Sequence, residues 1–350
     1  MSLLFSPLTL RSVTIPNRIA VSPMCQYSAV DGVPNDWHLV HLGSRAVGGA
    51  GMVIAEATAV EPRGRISPAC TGIWSDEQIA AWKPITAFLA EHGAVAAVQL
   101  AHAGFKGSTS AVGDGGVADD DGGWTPVGVT DVPFREDYRT PTALTEDGIA
   151  EIVADFAQAA RNALAAGFRV VEVHAAHGYL LHEFLSPLTN TRTDGYGGDA
   201  ERRLRFATEV VAAVRAAVGP EVPVLVRVSA TDWTDGGLTG DDTVQIAAAL
   251  VRAGADLIDA STGGLNRGPV PVGPGYQVPF AEAIRRKADV PTAAVGEITE
   301  PAQAEDVLAT GAADLVLLGR ESLRDPYWPR RAAAELGAPI TAPRQYARAW

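Results

Sequence analysis

Eight short apolar segments, each followed by a stretch with helical periodicity, constrain this chain's fold more than any other feature. They run Arg18 to Met24, Met52 to Val60, Ala94 to His102, Val170 to Val173, Val222 to Ser229, Asp256 to Thr262, Pro291 to Gly296 and Asp314 to Gly319. A strand apolar at consecutive positions must be covered on both faces, which is the condition of a parallel sheet with helices outside it. The segments between carry helix punctuation. Ser75 precedes Asp76 and Glu77 as an N-cap, Thr145 opens the helix that Gly167 closes, and the run Gly48-Gly-Ala-Gly51 and Gly311 end two more. Eight such units predict one (β/α)8 TIM barrel domain over residues 1–350. A doubly wound sheet is the alternative, but no Gly-x-Gly-x-x-Gly follows the first strand. Leu8, Leu10, Val13 and Ile15 about Arg11-Ser12 predict an N-terminal β-hairpin, and the residues from Asp325 predict a C-terminal extension containing a helix. The long stretch from Gly104 to about Pro141, with acidic and glycine-rich pieces from Gly113 to Gly123, reads either as a lid or as a disordered excursion.

Composition narrows the function. Hydrophobic residues make up 47% of the chain, enough for a large core, and the net charge of -13 opposes binding to nucleic acid or anionic membrane. Two cysteines, Cys25 and Cys70, cannot build a disulfide framework and fit a reducing cytoplasm. The first residues lack a basic segment before a long apolar one, so no signal peptide is read, and no apolar run reaches membrane-spanning length.

In a barrel, chemistry gathers at the carboxyl ends of the strands. The fourth strand ends in His174, His177 and Tyr179, a cluster able to hold a carbonyl oxygen or pass a proton. The first ends in Cys25 and Tyr27, and the third in Gln99 and His102. His-x-x-His could instead chelate zinc, as in a zinc hydrolase. A catalytic zinc wants about three protein ligands, and His182 is the only other candidate in that stretch. Arg227 lies inside an apolar strand and must meet something anionic or a strong acceptor, to which Gln99 could offer its amide. Gly296 and Gly319-Arg320 follow the last two strands, where barrels recurrently bind phosphate; the alternative for Arg320 is a surface ion pair. A phosphate-bearing planar heterocycle such as flavin mononucleotide (FMN) satisfies all of these demands.

Six stretches then carry a resemblance. They are Ser22-Pro-Met-Cys-Gln-Tyr27, Ala55-Glu-Ala-Thr-Ala59, Gly72-Ile-Trp-Ser-Asp76, Gln99-Leu-Ala-His-Ala-Gly104, His174 to Pro187, and Leu318-Gly-Arg320. Together they resemble the old yellow enzyme family nearly end to end. Cys25 with Tyr27 and the tail Gln345 to Trp350 look like its thermophilic-like bacterial class. The resemblance implies an FMN-dependent ene-reductase using NADPH or NADH. Ser22, Pro23, Met24, Cys25, Ala57, Gln99 and Arg227 would contact the flavin ring, and Gly296, Gly319 and Arg320 its phosphate. His174 and His177 would bind the carbonyl oxygen of an α,β-unsaturated substrate, and Tyr179 would protonate its α-carbon. Tyr27, Cys25 and Lys106 would line the substrate pocket. Arg348 would reach a neighbouring subunit's pocket, implying a homodimer or larger even assembly.

The chain departs from the family pattern in the Gly113 to Gly123 insertion and at Phe105 and Glu297. Xenobiotic and dienoyl reductases of the same flavin barrels are the nearby alternatives, without the iron–sulfur cluster that two cysteines cannot supply. A non-catalytic flavin- or phosphate-binding barrel is a further one.

Overall fold

The computed structural model describes residues 2–111, 113, 115–265 and 268–349. Asp114 of the acidic insertion and Trp350 of the tail motif therefore lie outside the described residues. The strands, in chain order, are β1 (Leu8–Leu10), β2 (Val13–Ile15), β3 (Ile19–Val21), β4 (Met52–Ala59), β5 (Val95–Ala101), β6 (Val127–Gly128), β7 (Thr142–Ala143), β8 (Val170–Ala175), β9 (Val224–Ser229), β10 (Leu257–Ser261), β11 (Thr292–Ala294) and β12 (Leu315–Leu318). Strands β3, β4, β5, β8, β9, β10, β11 and β12 close into a parallel barrel in that order, with β12 returning to β3. These are the eight segments expected from sequence, seven of them shortened and β8 running two residues beyond Val173.

The helices are α1 (Asp36–Val47), α2 (Asp76–Glu91), α3 (Glu146–Ala165), α4 (Leu180–Leu185), α5 (Ala200–Val218), α6 (Gly240–Ala253), α7 (Val278–Ala288), α8 (Pro301–Ala309), α9 (Arg320–Arg324) and α10 (Trp328–Glu335). Ser75 and Thr145 cap α2 and α3 as expected. The run Gly48 to Gly51 ends α1 as expected. Gly48 keeps a right-handed conformation, and the next residue, Gly49, makes the left-handed turn at φ +97°. No helix among the described residues is long and apolar enough to cross a membrane.

Strand alternation sorts the side chains into two populations. Val98, Val171, Val173, Val224, Val226 and Ile258 face outward into the main core, with Trp82, Phe156, Phe206 and Trp328 among the largest side chains there. The inward positions form layers. Ala97, Val170, Leu225 and Leu257 pack with Leu10, Val13 and Ile15, so the β1–β2 hairpin plugs the amino-terminal end of the barrel. One step further along each strand, the inward residues are Gln99, Glu172, Arg227 and Asp259, all buried. One step beyond stand His174, Ser229 and Ser261. The same two-residue period that builds the plug therefore delivers a polar layer and then the barrel mouth.

The stretch after β5 folds back over that mouth. Strand β6 pairs with β7, and the buried carboxylate of Glu183 accepts hydrogen bonds from the backbone N–H of Phe105 (2.9 Å) and Val129 (3.0 Å). The ring of Phe105 meets Phe134, and Phe134 meets Tyr138, at centroid separations of 5.3 and 5.1 Å.

Candidate active site

His174 is the last inward-facing residue of β8, opposite Arg227 on β9. The chain then turns sharply, with His177 at φ +61° and Gly178 at φ +72°. A left-handed histidine is a strained conformation, so its surroundings must hold it. They do so from several elements. The His177 N–H donates to Ser229 Oγ at 2.9 Å, and the Ser229 hydroxyl donates to the Gly263 carbonyl at 2.7 Å. Lys106 Nζ donates to the carbonyls of His177 (2.7 Å) and Gly264 (2.6 Å). The Gly178 N–H donates to His182 Nδ1 at 2.8 Å, and His182 Nε2 lies 3.0 Å from a carboxylate oxygen of buried Asp232. A Cβ on Gly264 would stand 2.1 Å from the His177 carbonyl carbon, so only glycine lets that backbone pass.

This turn brings three polar rings together. The His174 ring lies 5.2 Å from that of His177 and 5.0 Å from that of Tyr179, edge to face in both cases. His177 Nε2 is 2.7 Å from Ser261 Oγ. Burial, with the positive charge of Arg227 adding, holds both imidazoles well below the usual histidine range, so both are neutral at pH 7. Burial likewise holds the Tyr179 phenol well above its ordinary value. His174 Nδ1 is buried without a hydrogen-bond partner. The set consists of neutral donors, suited to an oxygen that gains charge during reaction.

Beneath it, the anion that Arg227 must meet is supplied by the barrel itself. Arg227 Nε stands 3.0 Å from Asp259 Oδ2, and its Nη1 donates to Ser22 Oγ at 3.2 Å. Gln99 is bound to Glu172, its amide donating at 2.8 Å. Burial, with Asp259 adding, pushes Glu172 up to about 8 against the pull of Arg227. Glu172 and Asp259 were not singled out in the sequence. The available signal was one acid inside each of two otherwise apolar strands, the same kind of signal that marked Arg227.

A stability prediction follows from Glu172. Its carboxyl titrates near 4.3 when unfolded and near 8 when folded, so the folded state binds the extra proton between those values. The stability it contributes is complete below pH 4.3 and lost as pH rises through about 8. The Glu172→Gln variant is expected to show a shallower decline from pH 5 to 8, by on the order of 1 kcal/mol per pH unit, in denaturant midpoints. Glu183, which burial also pushes up to about 8, keeps the remaining slope. An unchanged slope would mean that Glu172 is ionised throughout.

A cavity of about 520 Å³ opens from this layer. It is lined by Ser22, Pro23 and Met24 after β3, by Arg227, His177 and Ser261, and by the turns after β11 and β12 with Gly296, Gly319 and Arg320. A Cβ built on Gly319 would meet nothing within 4 Å, so this turn leaves open space beside its backbone. Arginines at one end and unpartnered buried polar atoms at the other suit an elongated anionic heterocycle, and the residues present fit FMN. Arg320 also makes the surface contact that sequence allowed as its alternative, with Nη2 3.3 Å from Glu297 Oε1. Tyr276, Gln277 and Arg324 line the cavity too and were missed. Tyr276 and Gln277 lie in the turn before α7, and Arg324 ends the five-residue α9, so no periodic pattern marks any of them.

The remaining expected residues fall in two groups. Cys25, Ala57 and Tyr179 pack in one small cluster with Cys70. Tyr27 is 38% exposed, at φ +51°. Lys106 Nζ sits 4.1 Å from the Phe134 ring centre and 5.6 Å from that of Tyr179, and burial lowers its pKa to about 8. Arg348 is exposed in the C-terminal turn and is not among the residues lining the cavity. The zinc arrangement fails on geometry. His182 is committed to Asp232, and among the described residues no third His, Cys, Asp or Glu converges with His174 and His177.

A parallel barrel with neutral donors over a buried ionic layer, and a cavity running to the last two βα turns, defines the class of flavin-dependent barrel oxidoreductases. The chain belongs to the NADH:flavin oxidoreductase / NADH oxidase family, which it matches over residues 3–338. It is 49% identical to an NADPH dehydrogenase of Listeria monocytogenes serotype 4a (strain HCC23) over 352 residues, covering all of both chains. It is 48% identical to an NADPH dehydrogenase of Geobacillus sp. (strain WCH70), covering all of this chain and 99% of the other. Among solved structures, morphinone reductase superposes with a TM-score of 0.81 at 32% identity, covering 98% of this chain and 91% of that one. The protein is thus an FMN-dependent oxidoreductase of the old yellow enzyme type that draws on NADPH or NADH.

Proposed function

We propose that this enzyme reduces the activated C=C bond of α,β-unsaturated carbonyl compounds. The observation that carries this reading is the meeting of His174, His177 and Tyr179 at one strand end, as neutral donors over the barrel mouth. FMN would be held by Ser22, Pro23, Met24, Cys25, Ala57, Gln99 and Arg227 about its ring and by Gly296, Gly319 and Arg320 at its phosphate. When bound, it supplies hydride transfer, from NADPH or NADH and then to the substrate's β-carbon. His174 and His177 each donate an N–H to the substrate carbonyl oxygen. Because they are neutral and already in place, they favour the charge that builds there without a reorganisation cost. Tyr179 gives its phenolic proton to the α-carbon. Tyr27, Cys25 and Lys106 position the substrate, with Phe134 and Tyr138 closing the pocket above Lys106. Arg348 serves a neighbouring subunit's pocket in a homodimer or larger even assembly. A solved complex of morphinone reductase with tetrahydroNAD, at TM-score 0.79 and 32% identity, supports the nicotinamide half of the cycle.

The test is anaerobic absorbance spectroscopy of the purified holoprotein. NADPH is expected to bleach the flavin bands, and 2-cyclohexenone to restore them with formation of cyclohexanone. Bleaching that the enone cannot reverse would end the ene-reductase reading and leave the NADPH oxidoreductase intact.

A further inference from the structure

The two cysteines of this chain are distant in sequence but meet in the fold, and the mechanism above leaves Cys70 without a task. Cys25 follows β3, Cys70 lies in the loop before α2, and Glu56 stands on β4 between them. The two Sγ atoms and a Glu56 carboxylate oxygen all lie within 4.8 Å of one another. We propose that Cys25, Glu56 and Cys70 form a binding site for a thiophilic divalent cation of the zinc and cadmium kind, beside the substrate pocket.

Three features support a cation over a mere thiol contact. The first is the third donor. Pairing between β4 and β5 slips from Ala55↔Val98 to Ala57↔Gln99, so Glu56 is the bulged residue and escapes strand alternation. Its carboxylate is buried, and Oε1 is faced by His38 Nε2 at 3.3 Å without a well-formed hydrogen bond. A buried carboxylate with one free coordination direction is costly, and a cation would satisfy it.

The second is the support behind that carboxylate. Glu56 Oε2 accepts from the Gln26 N–H at 3.1 Å, and His38 Nε2 stands 3.3 Å from Oε1. His38 Nδ1 accepts the Asn35 N–H at 3.0 Å in the capping box of α1, which leaves the ring proton on Nε2, facing Glu56. Hydrogen-bonded support of this kind orients metal-binding carboxylates.

The third is the spacing. A tetrahedral ion with bonds of about 2.3 Å to sulfur and about 2.0 Å to oxygen sets its donors roughly 3.5–3.8 Å apart, a short contraction from the arrangement seen. Two sulfurs select soft ions over magnesium or calcium. Three protein ligands leave one position for water, and half-buried Cys25 with exposed Tyr27 gives a path from the pocket. Since Cys25 and Tyr179 both pack against the small cluster that holds Cys70, a bound ion should stop turnover. The binding itself does not depend on the ene-reductase reading.

The test is cadmium titration of the reduced, FMN-loaded enzyme. One ion per chain is expected, with a thiolate-to-cadmium charge-transfer band. The bound ion should protect both cysteines, the only two in the chain, from a thiol reagent. Cys70→Ser is expected to keep NADPH oxidation while losing the band and its sensitivity to cadmium. Glu56→Gln should weaken binding by about 10- to 100-fold. Protection of one thiol only, or unchanged affinity in Cys70→Ser, would overturn the site. So would a Cys25–Cys70 disulfide forming under peroxide in protein that retains no cadmium, which would make the pair a redox couple instead.

Discussion

Tyr179→Phe is expected to slow reoxidation of the reduced enzyme by 2-cyclohexenone by about 100- to 10 000-fold, the range for loss of a positioned general acid. Reduction of the flavin by NADPH should change little, because no proton from this side chain enters that half-reaction. The substitution isolates the hydroxyl. The ring packs with Cys25, Cys70 and Ala57, and the backbone N–H donates to Ala176 at 3.2 Å; phenylalanine keeps both. Stopped-flow measurement of the two half-reactions separates the outcomes. Equal slowing of both would make Tyr179 a positioning residue and send the search for the acid elsewhere in the pocket.

Arg227→Met is expected to lower unfolding stability by about 3–5 kcal/mol, the usual cost of removing one partner from a buried ion pair. Asp259 is wholly buried, and burial already raises its pKa against the pull of Arg227; without the arginine, nothing compensates its charge. Binding of FMN should weaken as well. The double variant Arg227→Met/Asp259→Asn distinguishes the two effects. It should regain much of the stability, since no charge is left unpaired, but none of the FMN affinity. Denaturant midpoints and flavin titration read them separately. If the single variant holds FMN as tightly as the native enzyme, Arg227 serves the barrel and not the cofactor. If the double variant stays unstable, the ion pair is not what Arg227 contributes.

Much of this architecture is legible in the sequence. Apolar runs such as Val170 to Val173 fitted strands buried on both faces, and Ser75 and Thr145 marked helix starts because their hydroxyls can accept from free N–H groups there. The grouping of His174, His177 and Tyr179 was also readable, since a local turn decides it. Other features were not. Leu180 to Leu185 forms a short helix whose few apolar residues carry no period of their own. Phe134 and Tyr138 sit in an irregular loop, and nothing in their sequence says that the loop folds over Lys106.

The sequence by itself determined the eight strands, their order and the cluster at the end of β8, because these follow from hydrophobic period and neighbouring residues. Only the closed barrel decided that Arg227 would find Asp259, that Gln99 would bind Glu172, and that Cys25 would touch Cys70. Each of those pairings joins segments far apart along the chain. Their geometry is set by strand register and by the return of β12 to β3, neither of which any local stretch encodes.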